Sequence, residues 1–139
     1  MRHSIAAALA LITASVAATP ASACARHEDL DLRSALGADL VVVGRIVNFR
    51  TDAHRNEVFD IAVGKVLRGR AGRLVTVNYS GRMLGPPSAL PRQPILAALQ
   101  RNDGDYAIQW HICSDPFLFR ADSRQAVETR RLLRQPRRR

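Results

Sequence analysis

Few residues in this chain are of types that do chemistry, and their spacing limits what that chemistry can be. Two cysteines, Cys24 and Cys113, stand far apart, and four histidines are scattered along the sequence. Acidic residues gather beside one of them, as Glu28, Asp29 and Asp31 after His27. That grouping has the donor types of a metal site, but its spacing matches no recurrent ligand pattern. Carboxylates in a first helical turn are favoured by the helix dipole alone, so no metal is assigned. Residues 68–73, Arg-Gly-Arg-Ala-Gly-Arg, have the composition of a phosphate cradle. No Gly-Lys-Ser/Thr follows and no helix is expected to open there, so the stretch reads as a turn. The sequence has no Gly-x-Ser-x-Gly, no His-Glu-x-x-His and no phosphate loop. No enzyme and no cofactor are expected.

The N-terminus sets the compartment. Arg2 and His3 precede an apolar run over residues 5–18, and Pro20 leads into Ala21-Ser22-Ala23, the small-x-small pattern that signal peptidase accepts. Residues 1–23 therefore read as a cleaved secretory signal. The run is shorter than the roughly 20 residues that span a bilayer, and no later segment is apolar enough, so the mature chain is expected to be periplasmic or secreted with no transmembrane segment. Cleavage leaves Cys24 first. A lipoprotein signal would carry a larger residue where Ala21 stands, which makes acylation of Cys24 the less favoured alternative. Two cysteines in an exported chain most simply pair with each other, giving a Cys24–Cys113 disulfide that ties the N-terminus to the last strand.

The formal net charge is +9, and Lys65 is the only lysine. Part of that arginine bias is what a GC-rich coding sequence produces. A positive field favours weak, salt-sensitive contact with anionic polymers, but no specific nucleic-acid recognition is expected.

The elements that must position these residues are mostly strands. Residues 39–49 and 57–69 are rich in β-branched and aromatic side chains, and Phe59, Ile61, Val63 and Leu67 are assigned to one face of the second strand with Asp60, Ala62, Gly64 and Val66 on the other. Leu40 to Val43 are apolar on both faces and belong in a central strand. Gly44 and Gly64 mark bends, which favours a coiled or closed sheet. A third strand covers residues 74–80, and residues 81–94, with four prolines, form a surface loop. Residues 94–100 fit either helix or strand. Asn102-Asp-Gly-Asp105 is a turn, and a strand over residues 106–113 would put Trp110 with Tyr106, Ile108 and Ile112 in the core, leaving His111 half-exposed. Residues 27–37 read as a short helix or strap. Asp122 or Ser123 caps a final helix reaching Arg134, with Ala126, Val127, Leu132 and Leu133 as its apolar side. The expected fold is mainly β: an OB-like five-stranded antiparallel barrel with a C-terminal α-helix over residues 24–134, followed by a basic tail, 135–139.

The order of parts resembles the netrin-like family, which includes the tissue inhibitors of metalloproteinases. The resemblance lies in the exported Cys24, in Ala38-Asp-Leu-Val-Val-Val-Gly-Arg-Ile-Val47, in Val58-Phe-Asp-Ile-Ala-Val-Gly-Lys-Val-Leu-Arg-Gly69, and in Gly104-Asp-Tyr-Ala-Ile108 followed by Cys113. It implies an OB-type barrel. It also implies that the amino group and carbonyl of Cys24 could chelate a protease's zinc, with Arg26 and His27 beside the protease's specificity pocket. Here Cys24-Ala25-Arg26 lacks the second cysteine of the inhibitors' Cys-x-Cys. The expected function is therefore a non-enzymatic binding or structural module of the cell envelope. Its partner would be a protein or envelope component, met through Cys24, Arg26 and His27. Metalloprotease inhibition through Cys24, and weak binding of anionic polymers through arginine clusters, are the alternatives.

Overall fold

Strand β1, Leu40–Thr51, has a neighbour on each side, and this closes the sheet. The computed structural model describes residues 28–54, 56–79, 90–111 and 113–135. Along the chain follow β2 (Glu57–Arg68), β3 (Leu74–Tyr79), β4 (Ile95–Asn102), β5 (Asp105–Ile108), β6 (Leu118–Arg120) and helix α1 (Arg124–Arg134). The strands are ordered β1-β2-β3-β5-β4, and β4 pairs back onto β1, with β6 added along β4. The result is a closed five-stranded mixed barrel of OB-like type with one C-terminal helix.

One expectation is corrected by parity. Five strands cannot alternate direction all the way round a ring, so one neighbouring pair must be parallel. That pair is β3–β5, with Val77 opposite Tyr106 and Asn78 opposite Ala107. The other four barrel pairings are antiparallel.

Two apolar clusters explain which strands are buried on both faces. The barrel interior holds Leu40, Val42, Phe59, Ile61, Val77 and Leu99 among others. A second cluster, built on Val41, Leu96, Ala98, Phe117 and Ala126, lies between the outer surface of β1 and β4 and the strap and helix that cover it. The apolar run from Leu40 is thus central, as expected, because alternate residues feed different cores. The ambiguous stretch at 94–100 is strand β4 for the same reason: Ile95 to Leu99 are all buried.

Alternation in β2 is broken by a bulge. Val43 pairs with Lys65 and Gly44 with Val63, so Gly64 has no partner. The extra residue turns Val66 toward the interior and Leu67 toward the outer cluster, the reverse of a regular strand. Gly44 permits the close approach of β1 to β2, since a Cβ there would lie 2.4 Å from the carbonyl oxygen of Ala62. The β4–β5 hairpin turns on Asp103 and Gly104, both at positive φ, the conformation a two-residue hairpin needs.

The N-terminal strap contains a 3₁₀ turn, Leu32–Leu36, capped by Asp31, whose side chain accepts from the Arg33 N–H at 2.9 Å. Helix α1 is capped by Ser123, whose Oγ accepts from the Ala126 N–H at 3.2 Å. Its inward face is Ala126, Thr129 and Leu133. Val127, assigned to the apolar side from sequence, is 58% exposed, because it sits one residue and about 100° round the helix from Ala126. Among the described residues no helix is long and apolar enough to cross a membrane.

Candidate functional site

The strap and the chain that leaves β5 meet at one end of the barrel. β5 stops at Ile108 instead of running on to Cys113. The Gln109 N–H still donates to the Ala98 carbonyl at 2.8 Å, and the Phe117 N–H donates to the Gln109 carbonyl at 2.9 Å. Residues 110–116 therefore make an excursion between two anchored points. It is tightened by the Ser114 N–H, which donates to the His111 carbonyl at 2.9 Å.

This break overturns the expected place of Trp110. Its ring is 47% exposed, and its indole Nε1 donates to the Ser114 carbonyl at 2.8 Å. The loop that could not continue the ladder instead holds an aromatic ring outward, with its one polar atom satisfied. His111 is exposed beside it, with Nδ1 3.7 Å from Oε2 of Glu28. The Glu28 N–H donates to the Cys113 carbonyl at 2.7 Å, and Glu28 and Ser114 form a parallel bridge. Below, Gln109 Nε2 donates to the Ser34 carbonyl at 3.0 Å and locks the strap to the turn. Glu28, Asp31, Gln109, Trp110, His111 and Ser114 line an open cavity of about 360 Å³. An indole beside carboxylates and an imidazole forms an aromatic anchor with a polar rim, the composition that protein interfaces favour at their centres.

Cys113 is half-buried in this junction and is not a free thiol. Cys24, Arg26 and His27, and with them the proposed pairing to Cys113, the signal over 1–23, most of the loop at 81–94 and the tail beyond Gln135, lie outside the described residues. Among the described residues no three of His, Cys, Asp and Glu are placed to hold a metal. The arginine–glycine turn after β2 has a structural job: Arg68 Nε donates to the Ala38 carbonyl at 2.7 Å, and Gly69 takes φ +80° with no room for a side chain beside Asp39.

A second polar cluster was not foreseen from the sequence. Asp60, assigned to the outer face of β2, is 7% exposed. Its carboxylate accepts from Arg50 at 2.8 and 3.0 Å, from Thr76 Oγ1 at 2.9 Å and from Asn48 Nδ2 at 3.1 Å. The Arg50 guanidinium, opposed by burial and helped by Thr76 and Asn48, holds the Asp60 carboxyl below the usual carboxylate range. The available signal was an aspartate in the middle of an apolar strand, which burial tolerates only when it is paired. Nearby, Tyr79 meets Phe49 and Phe59 edge to face, its ring 5.0 Å from Phe49, while Phe49 and Phe59 are tilted 36° to each other. The cluster stitches β1, β2 and β3 together away from the strap.

No family model matches the chain, and no curated protein matches it.

Proposed function

We propose that this protein is an exported, non-enzymatic binding module of the cell envelope that takes a protein partner at the strap end of its barrel. The observation that carries the reading is Trp110, an exposed indole held in place by its hydrogen bond to Ser114. A large aromatic that is both exposed and pre-ordered loses little entropy on binding, which is why such residues anchor interfaces. The segment holding Cys24, Arg26 and His27 immediately precedes Glu28 in the chain. With a Cys24–Cys113 bridge, these residues would share the Trp110 face.

The netrin-like reading gives a second version of the same site. An OB-like barrel with its N-terminal strap laid against the turn after β5, through the Glu28 to Cys113 hydrogen bond, supports metalloprotease inhibition by the Cys24 amino group and carbonyl.

Trp110 is the only tryptophan in the chain, so intrinsic fluorescence reports on this face alone. Immobilised mature protein should retain a partner from envelope extract that Trp110→Ala loses at equal melting temperature, and adding that partner should shift the Trp110 emission. Retention of the same proteins by both forms would sink the proposal. For the inhibitor version, inhibition of a zinc protease should vanish when the N-terminal amine is carbamylated.

A further inference from the structure

The arginines of this chain divide by what they do. Arg50 is engaged by Asp60, Arg120 by Asp122, Arg68 by the Ala38 carbonyl and Arg130 by the Ala121 carbonyl. Arg124, Arg131 and Arg134 are exposed on α1 and form no ion pair among the described residues. At 3.6 residues per turn, these three and Val127 fall within an arc of about 80°, on the side away from buried Ala126 and Thr129. Val127 is 58% exposed in their midst. The only acidic residue of the helix, Glu128, lies at the edge of this stripe, and Arg137, Arg138 and Arg139 continue the charge along the sequence.

We infer that the outer stripe of α1, Arg124, Val127, Arg131 and Arg134, is a docking surface for an anionic phospholipid bilayer. Charge complementarity to phosphate headgroups is the first argument, because these guanidiniums have no ion-pair partner among the described residues and present bidentate donors suited to phosphate. Shape is the second. The stripe runs along one side of an 11-residue helix, so its exposed side chains can meet a single plane together, as in an interfacial helix. Val127 adds a small apolar contact that a lipid interface rewards and a soluble polyanion does not. The surface is separate from the Trp110 face, and the inference does not depend on the reading given to that face.

The test is sedimentation of the mature protein with vesicles of phosphatidylcholine alone and of phosphatidylcholine with about a third phosphatidylglycerol. The wild type should bind the anionic vesicles only and be released as salt rises from about 50 to about 300 mM. Each arginine near such a surface contributes roughly a fivefold factor, so the triple variant Arg124→Gln, Arg131→Gln, Arg134→Gln should lower partitioning on the order of a hundredfold. Val127→Ser should lower it about threefold or less. All four residues are exposed, so thermal melting should barely change and folding cannot account for the loss. Equal binding to both vesicle types would overturn the inference, as would a triple variant that binds like the wild type. Retention on soluble heparin without retention on anionic vesicles would also overturn it, in favour of a polyanion.

Discussion

An aspartate in the middle of a strand is normally left to solvent, yet Asp60 is buried, and its two oxygens take four hydrogen bonds from Arg50, Thr76 and Asn48. Asn48, at φ 53°, lies in an irregularity of the β1–β2 ladder between Val47 and Arg50, after which pairing resumes with Arg50 opposite Val58. Asp60→Asn keeps the shape but removes the charge, and should cost about 1–3 kcal/mol, the range for losing hydrogen bonds to an ionised group. The pH dependence has a defined sign. Since the Asp60 carboxyl is held low in the folded state, chiefly by the Arg50 hydrogen bond, its contribution is complete above the unfolded value near ~4. It is lost as pH falls through the folded value. Wild type should therefore lose stability more steeply below about pH 4 than Asp60→Asn. The variant keeps the part of the slope due to Asp52 and Asp122, held low chiefly by the Asn56 backbone N–H and by Arg120. Parallel denaturation curves for the two proteins at every pH would remove Asp60 from this role.

At the scale of elements, the two glycines of the β1–β2 ladder make opposite predictions. Gly44→Ala would place a Cβ 2.4 Å from the Ala62 carbonyl oxygen and 2.6 Å from Ile61 Cγ2, so β2 itself must move. A loss of about 3 kcal/mol or more is expected, as for other overpacked interiors. Gly64→Ala meets nothing closer than the Val43 carbonyl oxygen at 3.5 Å and should stay within about 0.5 kcal/mol. Thermal melts of the pair decide the matter; equal melting temperatures would show that the strands are not so closely apposed. The bulge at Gly64 is kept by register, and crowding at Gly44 enforces the coil of the barrel. In α1, Ser123→Ala should cost about 1 kcal/mol, the usual value of an N-cap.

For the whole molecule, the strap matters because it covers the outer cluster on β1 and β4 and carries the chain to the Trp110 face. A Cys24–Cys113 disulfide would bind that strap covalently, contributing roughly 4–5 kcal/mol in the chain-entropy model. Exported protein should therefore begin at Cys24 with no lipid mass, give a Cys24–Cys113 cross-linked peptide, and melt markedly lower after reduction. Recovery of two free thiols, with melting indifferent to reductant, would leave the strap held by hydrogen bonds and apolar packing without a covalent tie.

What could be read from the amino-acid order alone was whatever depends on near neighbours. The apolar run at Leu40 to Val43, the alternation around Phe59 and Ile61, the Asn102 to Asp105 turn and the Ser123 cap each follow from sterics and solvation within a few residues, and each stands in the fold. A closed OB-like barrel was legible because bent, twice-buried strands in a short chain have few ways to hide both faces. Tertiary structure alone decided the rest. Whether Val66 or Leu67 faces inward depends on one unpaired glycine, Gly64, which shifts the side chains that follow it by one place until the ladder slips again at Leu67. The burial of Asp60 depended on Arg50 and Thr76 arriving from other strands. The exposure of Trp110 depended on where β5 ran out of partners: Ala98 and Phe117 claim the backbone of Gln109, and the ladder has nothing further to offer Trp110. Such outcomes are set by contacts between residues far apart in the chain, and no local pattern encodes which of two adjacent side chains those contacts will enclose.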